Sequence, residues 1–150
     1  MRLIFLYLTK IQRYPLVQTE KETCHMITTF LSTEQHNDYV TLHFGIQNVS
    51  GADLVISYGS QPYDFIVTNE DGKEVYRWSL NKLFTAEVVE RTLKRDEKII
   101  FQERWNSQDN EGKPLPKGRY KVEVIFLIHL PELSEPQSFQ HLSISTDIEL

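Results

Sequence analysis

The sequence predicts an all-β fold, an antiparallel β-sandwich of about seven or eight short strands. Apolar and polar residues alternate in several runs, which is typical of strands with one face in a core and one in water. Clusters of Gly, Asn, Asp and Pro separate these runs and predict turns. No stretch of the sequence has a convincing helical period. Two packed antiparallel sheets are the natural way to bury so many half-apolar strands.

Three predicted strands show the clearest alternation. The first covers residues 39–47, where every second side chain from Val40 onward is apolar. The second covers residues 120–128, and apolar residues at both parities near its end predict that both of its faces are covered there. The third covers residues 142–150 and closes the chain.

Shorter strands complete the predicted sandwich. They cover residues 27–31, 54–58, 63–68, 74–78 and 99–105. The Asp71-Gly72 pair lies between two of these strands and is a good signal for a hairpin turn.

Tyr120 narrows the prediction to an immunoglobulin-like topology. It stands two residues after Gly118, at the entrance of a long strand, which is the context of a tyrosine corner. In that arrangement the ring packs in the core and the hydroxyl bonds to a backbone group of the incoming loop. We therefore expect a structural role for Tyr120.

The composition matches one globular domain and excludes one class of partner. The chain has 150 residues, of which 40% are hydrophobic and 25% charged, close to the average for globular proteins. Its net charge is -5, and its basic residues are interleaved with acidic ones. Nucleic-acid binding needs clustered Lys and Arg, so we expect no nucleic-acid partner.

The targeting features of the sequence indicate the cytoplasm. Cys24 is the only cysteine, so no intrachain disulfide can form and a reducing compartment fits. The apolar run at residues 3–8 is too short for a secretory signal or a membrane helix. We therefore predict a cytoplasmic protein with no membrane partner. Residues 1–25 are predicted to be an N-terminal extension, either disordered or a mis-called start, and residues 26–150 the domain itself.

The sequence has no recognisable catalytic or metal site. It lacks a nucleophile elbow, and the adjacent Cys24 and His25 point to opposite sides of an extended chain. The histidines do not have the spacing of metal ligands, although His43 and His129 lie in strands and could become neighbours across a sheet. We predict a protein that is not an enzyme and needs no metal or cofactor.

Asp64 is a charged residue inside a predicted strand, between Tyr63 and Phe65. A carboxylate there must face water or find a donor, and Arg77 supplies one if the Asp71-Gly72 turn joins the two strands. We expect this internal ion pair in preference to a partner-binding role.

Two tryptophans end predicted strands. Trp78 and Trp105 are large enough to dominate a core of this size. Tryptophan also anchors many interfaces, but core packing is the favoured role for both residues.

Several short sequence blocks are informative through their order and spacing. They are Tyr63-Asp64-Phe65, residues 71–79, Phe84, Thr92-Leu93, Phe101, Trp105, and Gly112-Lys113-Pro114-Leu115 leading to Gly118-Arg119-Tyr120. Through these blocks, residues 42–124 resemble the BsuPI-type intracellular proteinase inhibitor family. The resemblance implies an immunoglobulin-like sandwich, a cytoplasmic location and inhibition of an intracellular subtilisin-like serine protease.

The implied activity requires a loop or sheet edge that can occupy a protease cleft without covalent attachment. One loop, residues 79–98, carries three apolar candidates for contact with the protease, Leu80, Leu83 and Phe84. The other, residues 106–117, carries Leu115, which we expect in the core of the tyrosine corner. We therefore prefer the first loop. The alternative function is an immunoglobulin-like protein-protein interaction module without inhibitory activity.

Overall fold

Two antiparallel sheets packed face to face form the molecule, as a computed structural model describes it for residues 10–13, 26–130 and 142–150. The described part holds nine strands and one 3₁₀ turn, Trp78–Asn81. The strands are β1 (Lys10–Arg13), β2 (Ile27–Gln35), β3 (Val40–Asn48), β4 (Leu54–Thr68), β5 (Glu74–Arg77), β6 (Val88–Leu93), β7 (Lys98–Trp105), β8 (Arg119–His129) and β9 (Leu142–Glu149). The predicted immunoglobulin-like sandwich is confirmed.

The order of the strands places β5 and β6 on one edge of the second sheet. The first sheet has the order β1-β2-β3-β7, and the second has β5-β4-β8-β9 with β6 also paired to β4. β6 pairs with the first part of β4, from Leu54 to Gly59, and β5 pairs with the last part, from Ile66 to Thr68. Because β8 occupies the opposite edge of β4, the chain between β5 and β6 must run along the open edge of the sheet.

The core lies between the inner faces of the two sheets. Strand alternation fills it from both sides, and Phe44, Phe65, Phe126 and Trp105 are the largest fully buried side chains. Burying one side chain of this size stabilises a fold by roughly 1.5–3 kcal/mol before entropy costs. Trp78 is also buried, so core packing is confirmed for both tryptophans.

Two predicted local features are confirmed. The Tyr120 hydroxyl donates a hydrogen bond to the backbone carbonyl of Pro116 at 2.6 Å, which is the geometry of a tyrosine corner. The Asp71-Gly72 turn joins β4 to β5 in a hairpin, with Gly72 at a φ of 80° that a glycine adopts without strain.

Two predicted strands are one, and one predicted loop contains a strand. Residues 54–58 and 63–68 both belong to β4, because the turn-like residues between them form a bulge with a register shift between Tyr58 and Tyr63. The prediction of a single loop at residues 79–98 is wrong, because β6 lies inside it.

His43 and His129, which the sequence left as possible neighbours across a sheet, lie in different sheets. His43 lies in β3 of the first sheet and His129 in β8 of the second, so they are not neighbours across one sheet. Within the described residues, no group of three or more His, Cys, Asp and Glu side chains is placed to hold a metal ion. The same residues include no helix long and apolar enough to cross a membrane.

Parts of the predicted N-terminal extension lie outside the described residues. Of residues 1–25 the structure describes only Lys10–Arg13, which forms β1 and pairs antiparallel with β2. Cys24 and His25 therefore lie outside the described residues. The division of the chain at residue 25 stays a prediction.

Candidate functional site

The chain that runs along the open edge of β4 is the candidate site. It covers residues 79–87, between β5 and β6, and we call it the edge segment. It begins in the 3₁₀ turn and leaves that turn at Lys82, whose φ of -131° and ψ of 157° are extended. Residues 83–87 then reach β6 without forming regular structure.

Two leucines of the edge segment face water. The exposed fraction is 64% for Leu80 and 98% for Leu83. A large apolar side chain gains nothing for folding in that position, since its surface stays in water. Leu83 is the side chain in the segment that a partner would bury with the greatest gain.

Phe84, the third predicted contact residue, turns inward instead. Its ring packs against the Trp78 ring at a centroid distance of 5.7 Å, and it is half-buried against the core. The centroid of the Trp78 ring lies 4.8 Å from that of Tyr63 and 6.4 Å from that of Phe65. This stack continues the core to the edge of the sandwich, so Phe84 anchors the segment on the residue next to Leu83.

Asp64, in β4, holds the first residue of the edge segment, Ser79, in place. Its buried carboxylate accepts hydrogen bonds from the Ser79 amide at 3.1 Å and the Ser79 hydroxyl at 2.7 Å. Arg77 Nη1 lies 3.3 Å from Asp64 Oδ2, so the predicted ion pair is confirmed. These partners explain how a carboxylate is buried within a strand.

Asn110, in the loop between β7 and β8, joins that loop to the edge segment. Its Oδ1 accepts the Arg77 amide and its Nδ2 donates to the Arg77 carbonyl, both at 2.8 Å. Nδ2 also donates to Asn81 Oδ1 at 2.6 Å. The Asn110 amide thus supplies the donor and the acceptor that a paired strand would otherwise offer to the backbone of Arg77 at the end of β5.

Ser60, in the bulge of β4, holds the far part of the segment. Its hydroxyl oxygen accepts the Thr85 amide at 2.9 Å and donates to the Thr85 carbonyl at 2.9 Å. The bulge therefore has a function in the fold, because it turns Ser60 toward the edge segment. Leu83 consequently lies between a restraint at Asn81 and restraints at Phe84 and Thr85.

Hydrogen bonds and burial set the protonation states of Arg77, Glu74 and Tyr63, which lie near the beginning of the edge segment. The bidentate bond between Arg77 and Glu74, at 2.8 and 3.0 Å, raises the pKa of Arg77 and lowers the pKa of Glu74. Burial and the hydrogen bond to Glu103 raise the pKa of Tyr63 far above its ordinary range. Arg77 and Glu74 therefore stay charged, and Tyr63 stays neutral, across the physiological pH range.

The other predicted loop contributes support and no exposed apolar anchor. Leu115 packs partly buried against the core, as expected for the tyrosine corner. Beside this loop lies an open groove of about 510 Å³, lined mainly by residues 35–38, residues 106–108 and Lys117. Leu80, Leu83 and Phe84 of the edge segment were predicted from the sequence, whereas Ser60, Asn81 and Asn110 were not.

A repeated turn pattern is the signal in the sequence that could have identified Asn110. Residues 69–73 and 109–113 share the pattern Asn or Asp, two residues, Gly and Lys. In both turns the first side chain accepts the amides two and four positions later, at 2.8–3.0 Å. A turn of this kind fixes the residue at its second position, which is Glu70 in one copy and Asn110 in the other.

Comparison with known protein families supplies the identity. A family model described as BsuPI, intracellular proteinase inhibitor, matches residues 27–130. The match runs from β2 through β8 and includes the whole edge segment with its restraints. A comparison with curated proteins gave no match. Because the matched residues are more than half of the chain, the protein belongs to the intracellular proteinase inhibitor family.

Proposed function

We propose that the protein inhibits an intracellular subtilisin-like serine protease by placing the edge segment in the protease cleft. The chain acts by non-covalent binding, has no catalytic activity of its own and uses no metal or cofactor. Its family supports the inhibition of a proteinase, while the protease class and the mode of binding are our proposal. We place the activity in the cytoplasm, since the family is one of intracellular inhibitors and Cys24 is the only cysteine of the chain.

The observation that carries the proposal is the 98% exposure of Leu83 on a restrained backbone that is extended at the preceding residue, Lys82. Proteases bind peptides in extended form, with backbone hydrogen bonds for affinity and a side-chain pocket for choice. A segment held by Asn110, Ser60 and Trp78 loses little conformational entropy when it binds. Leu83 is then the side chain for an apolar pocket, and Leu80 lies three residues away as a peripheral contact.

Titration against a panel of subtilisin-like proteases tests the proposal. We expect near-stoichiometric inhibition of at least one of them, and Leu83→Ala to weaken that inhibition by about 30-fold, as for an interface side chain worth about 2 kcal/mol. Residual protease activity against inhibitor concentration gives both results. Failure of the unmodified chain to slow any protease of the panel would remove the proposed function and favour the interaction module.

Leu80→Ala is the matched control, because it removes an equal side chain from the same exposed segment. We expect it to change inhibition by less than about threefold, as for a residue at the rim of an interface. Neither substitution should change the melting temperature, since both side chains lie in water. Phe84→Ala should lower both inhibition and melting temperature, because the Phe84 ring packs on Trp78. Equal losses of inhibition for Leu83→Ala and Leu80→Ala would show that Leu83 is not the principal anchor.

A further inference from the structure

A segment that is extended at Lys82 and exposes the leucine that follows also resembles a good substrate. In a serine protease the serine hydroxyl attacks the carbonyl carbon of the scissile bond, and the amine on its far side leaves as an acyl-enzyme forms. If Leu83 occupies the pocket, the scissile bond joins Leu83 to Phe84. The edge segment must therefore have a feature that prevents its own removal.

We infer that Asn110 is a positioning residue that keeps the edge segment from being consumed. The inhibited complex is the non-covalent one, and when a transient acyl-enzyme forms, the cut ends stay together and the bond re-forms. The inference rests on the proposed function. Serine attack on the Leu83 carbonyl releases the amine of Phe84, and that amine attacks the acyl ester in the reverse step. The peptide bond is restored, the proton returns to the serine, and no other reactant is consumed.

Restraints on both sides of the Leu83–Phe84 bond favour the reverse step. On the near side, Asn110 bonds to both backbone groups of Arg77 and to Asn81, two residues before Leu83. On the far side, the Phe84 ring stays on Trp78 and the Thr85 backbone stays on Ser60. The new amine is therefore held close to the ester, and a held nucleophile reacts far faster than a free one.

Asn110 suits this role because its own position is fixed. The Asp109 side chain accepts the amides of Glu111 and Lys113 at 2.8 and 2.9 Å, and these bonds hold the turn on either side of Asn110. The bond from the Lys113 amide is the main cause that lowers the pKa of Asp109, and the bond from the Glu111 amide adds to it, so the carboxylate stays charged and the turn intact at neutral pH. The amide side chain alone supplies both the acceptor and the donors that Arg77 and Asn81 require.

The test follows one incubation of the full chain with an inhibited subtilisin-like protease by two readouts. Residual protease activity reports inhibition, and intact mass reports cutting at Leu83–Phe84. We expect Asn110→Ala to inhibit at first, more weakly than the unmodified chain because one restraint on the edge segment is gone, and then to lose inhibition, with the single cut accumulating at least about tenfold faster. Asn81→Ala should act in the same direction, and because Asn81 is exposed, we expect this variant to stay folded.

Asn106→Ala is the matched control, since Asn106 lies in the same loop and its Oδ1 bonds only to Arg104 among the described hydrogen bonds. It should stay as intact as the unmodified chain, and melting temperatures should show that all variants fold. If Asn110→Ala and Asn81→Ala inhibit and stay intact, the positioning role is wrong and the inhibition stands. Equal cutting of Asn106→Ala would also overturn it. If the unmodified chain does not inhibit, the proposed function and the positioning role both fail.

Discussion

Asparagine side chains replace backbone partners where separate parts of this chain meet. Asn48, at the end of β3, is fully buried, and its Nδ2 donates to the carbonyls of Ala52 at 2.7 Å and Leu93 at 3.0 Å. Its Oδ1 accepts the Ser50 amide at 2.9 Å. Asn48 thus ties the first sheet to the end of β6 in the second, as Asn110 ties its loop to the end of β5.

Asn48→Ala should destabilise the fold by about 3 kcal/mol, because buried carbonyl groups lose their donors and gain no water. Urea unfolding monitored by circular dichroism measures the change. Asn106→Ala, at an exposed position, is the control and should stay within about 0.5 kcal/mol of the unmodified chain. An unchanged unfolding midpoint for Asn48→Ala would mean that the carbonyls find other donors.

The importance of Asn48 was not predictable from the sequence. Asn48 stands in the turn-like cluster of residues 48–51, where an asparagine is ordinary. Its partner Leu93 is 45 positions away, and only the packing of the two sheets brings it near. The pairing of Asp64 with Arg77 was predictable, because the turn between them is short and local.

At the scale of strands, β3 shows how a single small residue sets the spacing of a sheet. β3 pairs with β2 and β7, and Gly45 lies opposite Phe30 on one side and Ile100 on the other. A Cβ atom at Gly45 would lie 2.0 Å from the backbone oxygen of Ile99 and 2.7 Å from the end of the Phe30 ring. The neighbouring backbone therefore approaches to a distance that only glycine permits.

Gly45→Ala should destabilise the fold by about 3 kcal/mol, because the closest atom belongs to backbone and cannot move away alone. Gly59→Ala is the matched control in another strand, since its Cβ would meet its nearest neighbour, Glu87 O, at an ordinary 3.4 Å. Thermal unfolding compares the two variants. Equal melting temperatures for Gly45→Ala and Gly59→Ala would show that β7 can move away from residue 45 without loss of stability.

Strands with a buried face were predictable, whereas the edge strand β6 was not. Alternation works as a signal because one face of a strand lies in the core, as in β3 and β8. In β6 only Leu93 is buried, so the sequence carries no alternation of the required kind. Since β6 defines where the edge segment ends, the limits of the candidate site could not be read from the sequence.

At the scale of the whole molecule, the core contains tyrosines that must stay neutral. Burial is the main cause that raises the pKa of Tyr63 and of Tyr76, and a negative Glu103 adds to it in both cases. A phenol whose pKa is raised by folding stabilises the fold fully below its unfolded pKa of about 10. That contribution is lost as pH rises toward the folded pKa, because the unfolded chain loses its proton first.

The free energy of unfolding should therefore fall steadily as pH rises above about 10. In Tyr63→Phe one ionising group is absent, so the fall should be shallower, although the variant starts from lower stability because its hydrogen bond to Glu103 is gone. Urea unfolding between pH 7 and pH 11 measures both slopes. Parallel curves for the two proteins would contradict the assignment of this pH dependence to Tyr63.

The edge segment separates the choice of target from the stability of the scaffold. Its restraints at Ser79, Asn81, Phe84 and Thr85 leave Leu83 without a role in packing. Under the proposed mode of inhibition, replacement of that one side chain should therefore redirect the molecule to another protease pocket with little loss of stability. Residue 83 is therefore a position that can vary, by natural or engineered substitution, while the rest of the β-sandwich stays unchanged.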